Sequence, residues 1–250
     1  ERARVVAPIE RDLVLLGLGG TVGTGGKPLR GEIAVVESLE EIAGRGEALR
    51  GKIVVINQAM PTFDHDGHRS FYGETVKIRS SGASEAAKVG AKAVLIRSVT
   101  ANSLRSPHTG AVRYDEKVAK IPAAAVTLED AELLARLARR GKATVELSLG
   151  AKTLPDSESG NAIAELRGRE LPDEVVVIGG HIDSWDVGDG STDDGAGCVM
   201  AMEAAALLKE LGLVPRRTIR VVLFTNEENG LRGGLAYAAA HGQERHVAAI

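Results

Sequence analysis

The chain has 250 residues, 44% of them apolar and 26% charged, with a formal charge of -3. That suits a globular protein of one large or two smaller domains, and the scattered Lys and Arg leave no electrostatic footprint for nucleic acid or an anionic membrane. The single cysteine, Cys198, excludes an internal disulfide framework.

Apolar periodicity supplies the elements in chain order. Residues 51–58 (GKIVVINQ) and 93–96 (AVLI) are compact runs bounded by Gly or polar residues, and they read as strands. Between them residues 83–89 predict a short helix closed by Gly90, the residue most easily placed in the left-handed conformation. Residues 121–126 look extended. Thr127, three residues before Asp130, caps a helix that runs to about Arg140. Gly141 ends it, and residues 143–149 alternate like a half-exposed strand. Residues 150–160 (GAKTLPDSESG) place Gly, Pro, Ser and Asp in quick succession, and the domain boundary is set there.

The rhythm then lengthens. Residues 174–180 (EVVVIGG) form an uninterrupted apolar run of the kind a central strand covered on both faces shows. A helix from near Ala196 shows one apolar face through Met200, Ala204, Leu207, Leu208 and Leu211, and Gly212 with Pro215 ends it. Residues 218–225 (TIRVVLFT) are a second buried strand, followed by a Gly-interrupted helical stretch to about His241. Strand, helix, strand, helix predicts a layered α/β domain. No apolar run approaches the roughly 20 residues of a spanning helix. The start has no signal segment, although an opening on Glu1 leaves room for a leader removed or omitted.

Three polar clusters stand at the ends of the buried strands of the second half, where ligands bind in open α/β sheets. His181 with Asp183 follows EVVVIGG, Asp193-Asp194-Gly195 opens the long helix, and Glu227-Glu228 follows TIRVVLFT. A His with a carboxylate two positions on suits a metal ligand and the partner that orients its ring. Asp193, at the positive end of a helix, has two oxygens and can bridge two cations. Adjacent glutamates can divide labour, one holding metal while the other takes a proton from metal-activated water. Singly, such a His is usually structural, such an Asp pair a cap and such a Glu pair a solvated surface; their joint placement carries the site. Residues 63–69 (FDHDGHR) and His108 read as loop residues, residues 17–26 (GLGGTVGTGG) lack the context of a phosphate loop, and Cys198 suits a small buried role.

The residues 179–197 (GGHIDSWDVGDGSTDDGAG) and 223–230 (LFTNEENG) resemble the di-zinc exopeptidase family that includes the bacterial leucyl aminopeptidases and glutamate carboxypeptidase II. Residues 16–24, 51–58, 85–99, 106–110 and 150–156 extend the likeness over nearly the whole chain. The resemblance implies a partial α/β/α sandwich with a mixed sheet over residues 151–250, the N-terminal half of a zinc peptidase domain. It implies a β-rich protease-associated (PA) domain over residues 12–150, with residues 1–11 a segment of the catalytic domain. His181 would bind one zinc, Asp193 would bridge two, Glu228 would bind the other, Glu227 would be the general base, and Asp183 would orient His181.

The activity implied is hydrolysis of dipeptides or short peptides as a carboxypeptidase or dipeptidase, with an aminopeptidase, a single-zinc glutaminyl cyclase-like enzyme and a non-catalytic protein of the transferrin receptor kind as alternatives. Retained clustered carboxylates argue against the last, and the PA segment against the cyclase. Kinship adds an extracytoplasmic location and a homodimer as expectations. The family completes its zinc pair with a further Asp and a late His, both expected beyond Ile250, so the chain is expected to be a fragment; His241 and His246 read as helix-end or surface residues.

Overall fold

The computed structural model describes residues 1–185 and 187–250. They form two units, Glu1–Leu154 and Pro155–Ile250, and the division lies within the Gly- and Pro-rich stretch 150–160.

In chain order the first unit comprises β1 (Arg2–Ala7), β2 (Arg11–Leu13), β3 (Leu15–Gly17), β4 (Leu29–Val36), α1 (Leu39–Arg45), β5 (Ile53–Ile56), α2 (Tyr72–Thr75), α3 (Lys77–Lys88), β6 (Ala93–Arg97), β7 (Ala123–Val126), α4 (Leu128–Arg140) and β8 (Thr144–Ser148). The eight strands make one sheet in the order β2-β1-β8-β4-β5-β6-β7-β3, parallel from β4 to β7 and antiparallel at both ends. Residues 1–11 do not stand apart as a piece of the catalytic part, because Arg2 to Ala7 pair with β8 inside this sheet.

The apolar run of β5 lacks alternation because both its faces are buried. Ile53 and Val55 lie in one core cluster with Leu134 and Leu137 of α4, whereas Val54 and Ile56 lie in another with Ile42 of α1 and Ile78 of α3. Burying one such side chain contributes about 1.5–3 kcal/mol. Helix α3 starts well before residue 83, since its buried stripe of Ile78, Gly82, Ala83 and Ala86 is too small and too mixed with polar residues to show in the sequence. Small size is required there: a Cβ on Gly82 would meet Ile56 Cδ1 at 2.7 Å. Gly90 has φ +77°, the left-handed turn that stops the helix.

The second unit comprises β9 (Ala162–Leu166), β10 (Leu171–His181), α5 (Ala196–Glu210), β11 (Arg217–Phe224), α6 (Arg232–His241) and β12 (Arg245–Ala249). Its mixed sheet runs β12-β10-β11-β9, with β10 parallel to both neighbours and β9 antiparallel at the edge. Val175, Val177 and Val222 pack with Phe224 and with Tyr237 of α6. Alternate residues of a strand face opposite sides, so Gly180 faces the start of α5, where Cys198 and Ala201 are buried.

Helix α5 corrects the sequence reading of its apolar face. Met200, Leu207 and Leu211 are 67%, 49% and 63% exposed, while the sheet receives Cys198 and Ala201. The helix is apolar on more than one side, and periodicity cannot tell which side meets a sheet whose own residues there are small.

Candidate metal centre

His181 is the last residue of β10, and the parallel register sets it beside Phe224 at the end of β11. Two loops therefore leave the sheet side by side. The first carries Asp183; the second carries Asn226, Glu227 and Glu228. Asn226 has φ +54°, a left-handed conformation that Asn tolerates better than most side chains, and the chain turns sharply there. Both glutamate N–H groups then point at Asp183: Glu227 donates to Oδ1 at 2.9 Å and Glu228 to Oδ2 at 3.1 Å.

The ring of His181 is held by the main chain. Its Nδ1 lies 2.8 Å from the carbonyl oxygen of Asp183, whereas the Asp183 carboxylate is 3.6 Å away. This amends the expected role of Asp183: its carbonyl orients the ring, and its carboxylate is occupied by the backbone of the glutamate pair. A carbonyl only accepts, so Nδ1 carries a proton, and in the neutral ring the lone pair for a cation is on Nε2.

Asp193 arrives from the third segment. It lies in the turn Ser191–Gly195 ahead of α5, with extended backbone (φ -114°, ψ 94°), and the Asp193–Asp194 peptide bond is cis. Its Oδ1 is 3.0 Å from His181 Nε2, and Glu227 Oε2 is 3.9 Å from the same nitrogen. Donor atoms of His181, Asp193 and Glu228 all lie within 4.8 Å of one another, the one such group of metal-capable side chains among the described residues. Two electron-rich atoms 3.0 Å apart repel unless a proton or cation lies between them, so the donor set fits a metal ion.

The electrostatics agree. Burial pulls the His181 pKa down, but the Asp183 carbonyl, Asp193 and the charges of Glu227 and Asp183 outweigh it and hold the imidazole above its ordinary value. Burial and then the Asp193 charge push Glu228 above the usual carboxylate range, against an opposing hydrogen bond from Trp185. Like charges raise a carboxyl pKa, and a divalent cation relieves that repulsion. His181 is 12% exposed and Asp193 80%, so the centre is walled by the sheet and open on the other side. His181 and Glu227 also border a cavity of about 220 Å³ with Phe224 and Leu231.

Sequence reasoning named Asp194 only as half of an Asp pair of the kind that caps a helix, and its bond to the main chain of His181 was not foreseen. Trp185 and Asn161 were also missed; Asn161 accepts the Thr225 N–H at 3.0 Å and donates to the Gly233 carbonyl at 2.8 Å, tying β11 to α6. No local signal marks either. The expected bystanders have partners of their own: His241 pairs with Glu244 at 2.8 Å, His246 meets the Tyr237 hydroxyl at 2.9 Å, and Asp64 folds residues 63–69 by accepting the Asp66 and Gly67 N–H groups.

Residues 161–250 match Peptidase family M28, and residues 9–134 match the PA domain. Carboxypeptidase Q of Xenopus laevis is 48% identical over 242 residues, which are 96% of this chain and 50% of that protein. The structure of a peptidase M28 precursor from Shewanella amazonensis SB2B is similar with a TM-score of 0.91 at 39% identity, over 99% of this chain and 56% of the other. A zinc aminopeptidase from Bacillus subtilis is similar with a TM-score of 0.64 at 25% identity, over 98% of this chain and 52% of the other. The chain spans about half the length of the curated relatives it matches.

Proposed function

The chain belongs to peptidase family M28, with a PA domain ahead of its peptidase part, and from that premise we propose that it carries the first portion of a two-zinc exopeptidase centre that hydrolyses dipeptides or other short peptides in the manner of a carboxypeptidase or dipeptidase. The observation that supports this is the convergence of His181, Asp193 and Glu228 from three separate segments, with His181 Nδ1 already engaged and Nε2 facing the carboxylates. Zinc, when bound, supplies a Lewis acid for the scissile carbonyl and lowers the pKa of water to about 7. His181, Asp193 and Glu228 would hold it, and the second oxygen of Asp193 leaves that residue able to serve two ions. Glu227, beside the ligands and 40% exposed, takes a proton from the attacking water at its carboxylate and passes it to the leaving amine. Asp183 fixes both the ring of His181 and the backbone of the glutamate pair.

An aminopeptidase is the second reading, supported by the likeness to the Bacillus subtilis zinc aminopeptidase. Kinship also supports an extracytoplasmic placement, and among the described residues no helix is long and apolar enough to cross a membrane. Zinc content of the intact protein by elemental analysis, with a panel of free, N-acetylated and C-amidated dipeptides, tests the proposal. Cleavage that survives acetylation but not amidation supports the carboxypeptidase, loss on either modification supports the dipeptidase, survival of amidation but not acetylation supports the aminopeptidase, and a protein without zinc or hydrolysis overturns all three.

A further inference from the structure

Asp194 contributes no atom to the converging donor group, yet both of its carboxylate oxygens are tied to the main chain beside it. Its Oδ2 accepts the main-chain N–H of His181 at 3.0 Å, and its Oδ1 accepts the main-chain N–H of Gly197 at 3.2 Å. The first N–H belongs to the end of β10 and the second to the first turn of α5, where helix geometry leaves N–H groups without partners. One charged group thus satisfies a strand end and a helix start together. A residue that merely capped α5 would need only the second bond.

The surrounding glycines are cut to fit this carboxylate. A Cβ on Gly180 would run into Asp194 Oδ2 and would stand 3.0 Å from the Cys198 nitrogen, and a Cβ on Gly197 would run into Oδ1. A Cβ on Gly195 would meet the Gly190 carbonyl oxygen at 2.9 Å. Side chains are thus absent on both flanks of Asp194 where they would displace it, and the turn that carries it is closed.

We propose that Asp194 is a positioning residue that sets the separation of the metal-holding groups of His181 and Asp193, an inference that rests on the zinc reading above. The two ligand residues belong to segments 12 residues apart, and one of them is the immediate neighbour of Asp194. Fixing the Asp194 carboxylate to the His181 N–H fixes the main chain of Asp193 against that of His181. Metal ligands must be held within about 0.5 Å to bind well, so loosening this staple weakens the centre without removing a donor atom.

Asp194→Asn is the discriminating variant, because an amide keeps one acceptor oxygen and turns an NH₂ on the other N–H. In the intact protein, zinc affinity by chelator competition is expected to fall about ten- to a hundredfold, with excess zinc restoring part of the lost kcat. Wild-type zinc affinity in folded Asp194→Asn, with only a lower urea midpoint, would assign Asp194 a structural role and overturn the inference alone. Should Asp194→Asn fail to fold, Gly197→Ala, which displaces Oδ1 without changing charge, is expected to weaken zinc in the same direction, and unchanged affinity there overturns the inference equally. A wild-type protein that binds no zinc overturns the metal reading and this inference with it.

Discussion

Asp183 Oδ1 accepts the main-chain N–H of Glu227 at 2.9 Å, across 44 residues of sequence. The same carboxylate takes the Glu228 N–H, so one side chain locks the loop after β10 to the loop after β11. The glutamate pair is therefore placed through its backbone.

Removing that lock by Asp183→Ala is expected to lower zinc affinity about ten- to a hundredfold, the usual consequence of losing a group that holds ligands in place. The main-chain carbonyl that orients His181 persists in this variant. Chelator competition on the folded variant is the measurement, and an affinity equal to wild type would remove Asp183 from the centre.

Glu227→Gln keeps the size of the side chain and abolishes its ability to carry a proton. It is expected to retain zinc while kcat falls roughly a hundred- to ten-thousandfold, the range for a lost general base. Elemental analysis and turnover on one preparation decide it; wild-type turnover would exclude Glu227 as the base.

A third expectation concerns acid. Glu174 lies at the start of the central strand and meets Arg217 at 2.5 Å and Arg245 at 2.8 Å. The hydrogen bond from Arg217 holds its carboxyl below the ordinary 4.5, although burial opposes the shift. A folded-state pKa below the unfolded one contributes stability that is complete above 4.5 and is lost as pH falls through the folded value. Glu174→Gln is expected to be less stable than wild type at neutral pH, with the gap closing below pH 4.5. Urea midpoints at neutral and acid pH check this, and a gap that does not change with pH would contradict it.

In the first unit, Thr127 is fully buried and its Oγ1 accepts the Asp130 N–H at 3.1 Å at the start of α4. Thr127→Ala removes that cap and is expected to cost about 0.5–2 kcal/mol. The urea midpoint of the PA unit is the readout, and an unchanged midpoint would mean that another group takes over the free N–H.

Much of this molecule is written locally. The runs IVVI of β5 and AVLI of β6 are apolar on consecutive residues because both their faces are buried, and the shorter apolar runs inside β10 and β11 stand out in the same way, visible without knowing the partners. The Thr127 cap and the stop at Gly90 are legible for the same reason, since donor, acceptor or backbone angle lies within a few residues. The positions of His181, Asp193, Glu227 and Glu228 at strand ends and a helix start follow from those elements. What Asp183 and Asp194 bind does not, because their acceptor oxygens meet N–H groups 44 and 13 residues away whose positions exist only once parallel strands have set the loops side by side. The buried side of α5 was equally undetermined, since the sheet it meets presents Gly180 and takes small residues, Cys198 and Ala201, in preference to the larger Met200 and Leu207. Sequence fixes what is settled by near neighbours along the chain; the register between distant segments decides which polar atoms meet and which apolar face is covered.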